Sequence, residues 1–264
     1  MKLIGKTALV TGSSKGIGAA LAIGLAREGA DVAVNYHGDK AGAQAVADSI
    51  KEMGRDAIVI QADISDVDAI YDMFRTVKDR FGRLDVLINN AGITGWTDLF
   101  EITREKWDHV INTNMRGTFF CSLEAARMMR ENAGGSIVNI STNCAALGVK
   151  NLVAYASSKG GIHAMTKQLA VELAPYHIRV NTFAPGPVNV KRNLADDPNY
   201  RDTWGDMVPM KRTADAEEMI GPAVFLATED SSFMTGQLFY VDGGWSIQGK
   251  IPEEYMDTAM KKNV

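Results

Sequence analysis

Short apolar runs alternate with longer amphipathic stretches along most of the chain. Thr7–Val10 reads as a strand, and Ala19, Leu21, Ala22, Leu25 and Ala26 carry a helical pattern that Gly29 closes. The alternation continues with a strand over Asp31–Asn35, a polar, alanine-rich helix from about Lys40 to Met53, and a strand over Ala57–Gln61. Val67–Phe81 is helical up to Gly82, and Leu84–Ile88 is the fourth strand. Trp107–Arg130 holds one long helical pattern, interrupted near Asn112, Asn114 and Gly117. Gly135–Ser141 is strand five. The helix carrying Tyr155 ends at Pro175, and Ile178–Phe183 is strand six. Ala216–Thr228 is helical, and Leu238–Val241 is strand seven. Residues 191–212 are charged with little periodicity, the mark of a mobile flap, and residues 245–264 form a polar tail. There is no repeat, linker or break in composition. Strands alternating with helices predict a single α/β domain over 1–264: a doubly wound parallel sheet covered on both faces.

The bulk numbers narrow the partners. The 264 residues are 46% hydrophobic and 23% charged, with a net charge of −4. Without a basic excess, nucleic acid and anionic lipid are poor partners. No apolar run approaches the ~20 residues of a membrane span. The N-terminus is too short before its first polar turn for a secretion signal. Cys121 and Cys144 show neither metal nor redox spacing, and the four histidines show no metal spacing. A reducing, cytoplasmic location and a metal-free protein are expected.

Candidate chemistry begins at the first turn. Thr11-Gly12-Ser13-Ser14-Lys15-Gly16-Ile17-Gly18 lies between a strand and a helix. Glycines let the backbone approach a pyrophosphate, and the helix N-terminus offers amide donors and a positive dipole end. The spacing is G-x-x-x-G-x-G, so a plain strand-to-helix turn is the competing reading. At the end of strand two an acid would hold a ribose 2′-hydroxyl, whereas a basic setting accommodates a 2′-phosphate. Here stand Asn35, Tyr36 and His37, with no acid before Asp39 and with Lys15 within reach. NADP is favoured over NAD, although Asn35 and Tyr36 could hydrogen-bond a ribose. Asp63 is either an acceptor for an adenine amino group or a turn acid. Asn89-Asn90-Ala91-Gly92 lies at a strand's carboxyl end, where open α/β sheets bind ligands.

Tyr155 and Lys159 are four residues apart and share one helix face. An ammonium near a phenol favours the phenolate. Free tyrosine titrates near ~10, so its pKa must fall before it acts as acid or base near neutrality.

With these residues in place, Thr7–Gly244 resembles a short-chain dehydrogenase/reductase. The resemblance rests on Thr11–Gly18, Asp63, Asn89–Gly92, Asn114, Tyr155, Lys159 and Pro185-Gly186 in matching order and spacing. It implies a seven-stranded Rossmann-type sheet of order 3-2-1-4-5-6-7, a homotetramer, and hydride exchange between NAD(P) and an alcohol/carbonyl pair. It makes Tyr155 the general acid/base and Lys159 the residue that lowers its pKa and holds the nicotinamide ribose. Asn114 becomes the helix-kink residue that positions a relay water. The implied cofactor contacts are Gly12, Ser14, Lys15, Gly16, Ile17, Gly18, Asn35, Tyr36, His37, Asp63, Ile64, Asn90, Ala91, Gly92, Tyr155, Lys159, Pro185, Gly186 and Val188.

Two positions depart from the pattern. The family's serine, thirteen residues before the tyrosine, is Thr142 here. Neighbouring strand residues face opposite ways, so Thr142 takes the role and Ser141 points away. Val190 replaces a threonine that contacts the nicotinamide carboxamide, at a cost of about 0.5–1.5 kcal/mol for one hydrogen bond.

Within the family, Val34-Asn35-Tyr36, the Pro185–Asn189 turn and the tail resemble bacterial glucose 1-dehydrogenases and related sugar dehydrogenases. A small-molecule substrate is implied: a sugar-derived alcohol, possibly anionic, with Lys150, Lys191 or Arg192 holding the acid group. Most motifs are shared with 3-oxoacyl-carrier-protein reductases, for which Arg127 and Arg130 hint at a docking surface. A nicotinamide-binding protein without catalysis is the remote alternative. Trp96 either walls the substrate pocket or caps the core.

Overall fold

The computed structural model describes residues 1–249. Residues 250–264, most of the expected polar tail, lie outside it. In chain order the strands are β1 (Thr7–Val10), β2 (Asp31–Tyr36), β3 (Ala57–Gln61), β4 (Val86–Asn89), β5 (Gly135–Ile140), β6 (Ile178–Pro185), β7 (Val188–Asn189), β8 (Ala214–Asp215) and β9 (Leu238–Val241). Seven of them form an all-parallel sheet of order β3-β2-β1-β4-β5-β6-β9. The expected order is therefore observed. The seventh strand of the sheet is β9, because β7 and β8 pair separately.

The main helices are α1 (Gly16–Arg27), α2 (Lys40–Glu52), α3 (Val67–Phe81), α4 (Arg104–Ile111), α5 (Gly117–Glu131), α6 (Val153–Leu173), α7 (Lys191–Asp196), α8 (Tyr200–Gly205) and α9 (Ile220–Ala227). Strand residues alternate between two cores. Ala8 and Val10 pack with Leu21, Leu25, Ile50 and Leu226 on the α1/α2/α9 side. Leu9 packs with Ile70, Phe74, Cys121 and Met129 on the α3/α5/α6 side. Burial on both faces explains why the strands read as continuous apolar runs.

Local chemistry sets several element ends. Asp66 caps α3 through Asp68 N, and Gly82 stops that helix in the left-handed conformation at φ 70°. The interruption in the long Trp107–Arg130 pattern is a π-helical turn at Asn112–Arg116. Next to it, a Cβ on Gly117 would lie 2.3 Å from Ile64 O, so this close helix approach requires glycine. The expected Ala216–Thr228 helix begins as a 3₁₀ turn over Ala216–Met219, capped reciprocally by Asp215 and Glu218.

The supposedly flexible 191–212 segment is folded. Tyr200 is buried and stacks on Trp204 at 5.4 Å, and Trp204 meets Trp245 edge-on at 5.6 Å. Asn193 Nδ2 donates to Val188 O and to the Tyr200 hydroxyl. Helices of six residues are too short to leave a periodic signal in sequence, so the aromatic anchors stayed hidden.

Candidate active site

A cleft of about 800 Å³ runs along the carboxyl ends of the strands. It lies where β1 has β2 on one side and β4 on the other, the switch point at which open α/β sheets take ligands.

The glycine turn forms one end. Gly12 and Gly16 have φ of 62° and 58°, and a Cβ on Gly18 would lie 2.4 Å from both Gly12 O and Asn90 Nδ2. Asn90 Nδ2 donates to Thr11 O and Gly12 O at 3.0 Å. The β1 and β4 turns are thus tied together, and the α1 N-terminus opens into the cleft. Ser14, Lys15 and Ile17 line it too, as do Ala91 and Gly92. The cradle fits a pyrophosphate: donors and a dipole end, with no side chain in the way.

The β2 end differs from expectation. Asn35 lines the cleft but is buried, and its amide is committed. Oδ1 accepts from Gly12 N at 3.0 Å, and Nδ2 donates to Ala62 O at 3.2 Å. Its side chain shapes the glycine turn rather than reaching a ribose. Tyr36 is buried in the α1/α2 core on the face of Val32 and Val34 and does not line the cleft. Strand alternation accounts for both findings. His37 stands exposed at the rim, with Nδ1 3.7 Å from Asp63 Oδ2. Lys15 Nζ lies 3.8 Å from Asp39 Oδ2, and Asp39 also caps α2.

Asp63 and Ile64 line the adjoining wall. Burial pushes the Asp63 carboxyl up, but bonds from Ser65 and the facing His37 and His109 outweigh it, leaving the pKa below the usual carboxylate value. Ser65 N donates to Asp63 Oδ1 at 2.8 Å, so the turn role is fulfilled.

At the other end lie Tyr155, Thr142 and Lys159, with Pro185, Gly186 and Val188 beside them. Burial raises the Tyr155 phenol to about 12, and the Cys144 thiol adds to this. The Thr142 hydroxyl and the Arg192 guanidinium pull the other way. The Lys159 ammonium donates to Ile140 O at 2.7 Å, and burial lowers its pKa to about 8. Tyr155 and Lys159 line the same cleft, with the lysine held to the end of β5.

Ser141 and Thr142 face opposite ways. Thr142 Oγ1 accepts from Cys144 N at 3.2 Å at the cleft wall, whereas Ser141 Oγ lies 2.6 Å from His163 Nε2 on α6. Asn114 sits fully buried in the π turn. Its Oδ1 accepts from Ile93 N at 2.8 Å, and its Nδ2 donates to Ile93 O and to Ser158 Oγ. A Cβ on Gly92 would lie 3.1 Å from Asn114 Oδ1 and 3.4 Å from Lys159 Nζ, so both groups border the same small space. Val190 packs toward Gly16, 3.3 Å from its Cβ position.

Sequence reading missed Thr94, His109 and Thr113, which also line the cleft. Their positions before α4, on it and in the π turn after it carry no motif of their own. Lys191 and Arg192 line the cleft, whereas Lys150 is exposed outside it. Trp96 is 55% exposed and does not line it. Among the described residues there is no cluster of metal-ligating side chains, and no helix is long and apolar enough to cross a membrane.

A dinucleotide cradle opening onto a half-buried tyrosine, a hydroxyl and a lysine defines a nicotinamide-dependent oxidoreductase of the Rossmann type. Comparison with known proteins places it further. Residues 12–246 match a family model described as enoyl-(acyl carrier protein) reductase. The 3-oxoacyl-[acyl-carrier-protein] reductase FabG of Staphylococcus aureus is 39% identical over 239 residues, covering 90% of this chain and 97% of that protein. Glucose 1-dehydrogenase 2 of Bacillus subtilis is 39% identical over 248 residues, 93% of this chain and 96% of that one. Among solved structures, an Agrobacterium tumefaciens protein provisionally assigned as a gluconate dehydrogenase superposes with a TM-score of 0.89 at 34% identity, covering 94% of this chain and 98% of that chain. The chain belongs to the short-chain dehydrogenase/reductase family, NAD(P)-dependent oxidoreductases that act on CH–OH and carbonyl groups.

Proposed function

We propose that this enzyme interconverts a sugar-derived, anionic alcohol and its carbonyl, with NADP preferred over NAD. The observation that carries the reading is Arg192. It lines the same cleft as Tyr155 and Thr142 and bears electrostatically on the tyrosine. Nearby Arg201 and Arg212 are paired with Asp215 and Glu218, whereas Arg192 makes no ion pair among the described residues. A guanidinium beside a proton-transfer site suits a carboxylate on the substrate, which it can grip with two parallel hydrogen bonds.

In this reading Tyr155 takes the proton of the substrate hydroxyl, and Thr142 donates a hydrogen bond to the substrate oxygen. Pro185, Gly186 and Val188 would hold the nicotinamide, whose chemistry when bound is to give or take the hydride. Lys159 and Asn114 border one small space beside Gly92, where they could position a water for proton transfer. Lys15 and His37 line the cleft beyond the end of β2, where the chain has no acid before Asp39, and two basic side chains there favour a 2′-phosphate and so NADP.

The alternative is reduction of a 3-oxoacyl group on an acidic carrier, as the name of the Staphylococcus relative has it. The basic residues that would dock a carrier are engaged elsewhere. Arg127 pairs with Glu124, and the Arg130 guanidinium lies over the Tyr176 ring at 5.9 Å.

The deciding assay follows reduced nicotinamide with NADP and NAD across aldoses, aldonic and uronic acids, and, in reverse, 3-oxoacyl thioesters. Faster turnover of the acids with NADP, lost in Arg192→Ala mainly through KM, is the expected result. Activity confined to 3-oxoacyl thioesters would overturn the sugar reading in favour of the alternative.

A further inference from the structure

Helix α6 presents a third polar group on the face of Tyr155 and Lys159. His163 follows Lys159 by four residues, as Lys159 follows Tyr155. These three side chains meet three consecutive residues at the end of β5. Tyr155 faces Thr142, Lys159 Nζ donates to Ile140 O at 2.7 Å, and His163 Nε2 lies 2.6 Å from Ser141 Oγ. Ser141 Oγ is also 3.4 Å from Lys159 O, and Ser141 N donates to Phe183 O on β6. Ser141 is therefore held by the helix on one side and the sheet on the other, and Thr142 is its immediate neighbour.

His163 is half-buried and takes no part in either apolar core. Packing on this part of α6 is supplied by Ile162, Thr166 and Ala170. Burial and the two cations on its own helix, Lys159 and Lys167, hold its pKa below the ordinary histidine value. A neutral imidazole keeps one donor and one acceptor, and Ser141 Oγ can satisfy either. A tilt of the β5 end would move Thr142 and the carbonyl that anchors Lys159 together. Small displacements of reacting groups are costly to rate.

We infer that His163 is a positioning residue of this enzyme. Through Ser141 it fixes the strand end that carries Thr142 and anchors Lys159. The inference rests on the roles given above to Thr142, Lys159 and Tyr155.

The test compares His163→Leu, His163→Gln, Ser141→Ala and the His163→Leu/Ser141→Ala double variant in the full chain. Turnover is measured with NADP and the best substrate of the panel, and NADPH affinity by its fluorescence. His163→Leu and Ser141→Ala should each lower kcat by roughly tenfold or more. KM and NADPH affinity should stay within about twofold, and the double variant should be no worse than either single one, since both break one contact. His163→Gln, which keeps a donor and an acceptor, should recover most of the rate. Unchanged kcat in His163→Leu, or losses that add in the double variant, would overturn the inference.

Imidazole nitrogen NMR of the unaltered protein provides a readout independent of turnover and of how the His163 variants fold. The His163 ring signals should move in Ser141→Ala, and signals that stay in place would remove the contact on which everything rests. Tyr155→Phe serves as the control for the site itself. Full turnover there would discard the proposed catalytic roles whatever the His163 signals do.

Discussion

Thr142 is where residue-scale chemistry is most exposed to test. Its hydroxyl sits at the cleft wall and acts on Tyr155, while Ser141 is engaged with α6. Thr142→Ala should lower kcat by roughly 10²–10³-fold, the usual loss for one donor to a developing oxyanion. Thr142→Ser should stay within a few-fold of the unaltered enzyme. Equal rates for Thr142→Ala and the parent would remove threonine from the mechanism. Lys159 makes a prediction about stability. Its ammonium titrates at about 8 in the folded chain against an ordinary 10.5, because burial disfavours the charge. Between those values the unfolded chain binds the extra proton, so folding gains stability as pH rises through the window and carries the full penalty below it. The gain is a few kcal/mol at most, at about 1.4 kcal/mol per pH unit. Tyr155, raised from 10 to about 12, works in the opposite sense above pH 10. Urea midpoints of the unliganded protein should therefore climb from about pH 8 towards 10. Lys159→Met should flatten the climb, and an identical slope in that variant would refute the assignment. Helix spacing singled out Tyr155 and Lys159, and the family resemblance singled out Thr142. Neither could reveal that Lys159 binds Ile140 O or that Asn35 holds Gly12, because such bonds depend on side-chain direction in three dimensions.

The elements were legible wherever burial imposes a period. All seven sheet strands, α1, α2, α3 and α6 follow from runs and faces in the chain, since the sheet is covered on both sides. What escaped is polar or short. Helices α7 and α8 depend on Tyr200 and two tryptophans meeting across 45 residues of sequence, from Tyr200 to Trp245. A second example is a buried chain of amides and hydroxyls that ties β4 to β5, α5, α6 and β6. Asn89 Nδ2 donates to Asn139 Oδ1 and to Ser122 Oγ, each at 2.9 Å. Asn139 Nδ2 donates to Thr166 Oγ1, which lies 2.7 Å from Thr182 Oγ1. Asparagine in the middle of a strand contradicts the apolar pattern, and only the paired neighbours explain it. Asn139→Ala would leave Thr166 and Asn89 each a partner short. At about 1–3 kcal/mol for an unsatisfied buried group, a loss of roughly 2–5 kcal/mol is expected in denaturant unfolding. A loss below about 0.5 kcal/mol, the scale of a surface change, would show that the chain of bonds adds nothing.

Considered as a whole, the molecule carries a surface that a lone chain does not explain. Tyr71 on α3 meets Phe120 on α5 edge-on at 6.4 Å, and Phe120 meets Phe119 at 5.2 Å. Tyr71 and Phe119 remain 36% and 38% exposed, so the aromatic group is open along one side. On the neighbouring α6, Val171 is 75% exposed. Apolar groups gathered like this on the outer helices of one face mark a contact surface, and most oligomers of a single chain are symmetric, so one patch can serve both partners. These helices also carry the site: α6 holds Tyr155, Lys159 and His163, and α5 follows directly on the Asn114 turn. We propose that the patch joins copies of this chain within the homotetramer that the family resemblance implies. Sedimentation should then give a mass of four chains for the parent. Phe119→Glu combined with Val171→Glu should reduce it to smaller species, because an unpaired carboxylate is costly to bury. The parent should have a Tm that rises with protein concentration, since mass action couples assembly to stability, and the variant should lose much of that rise. A parent that sediments as a single chain at micromolar concentration would end the assembly proposal. A tetramer indifferent to both charges would move the contact to another face, such as the edge strand β9.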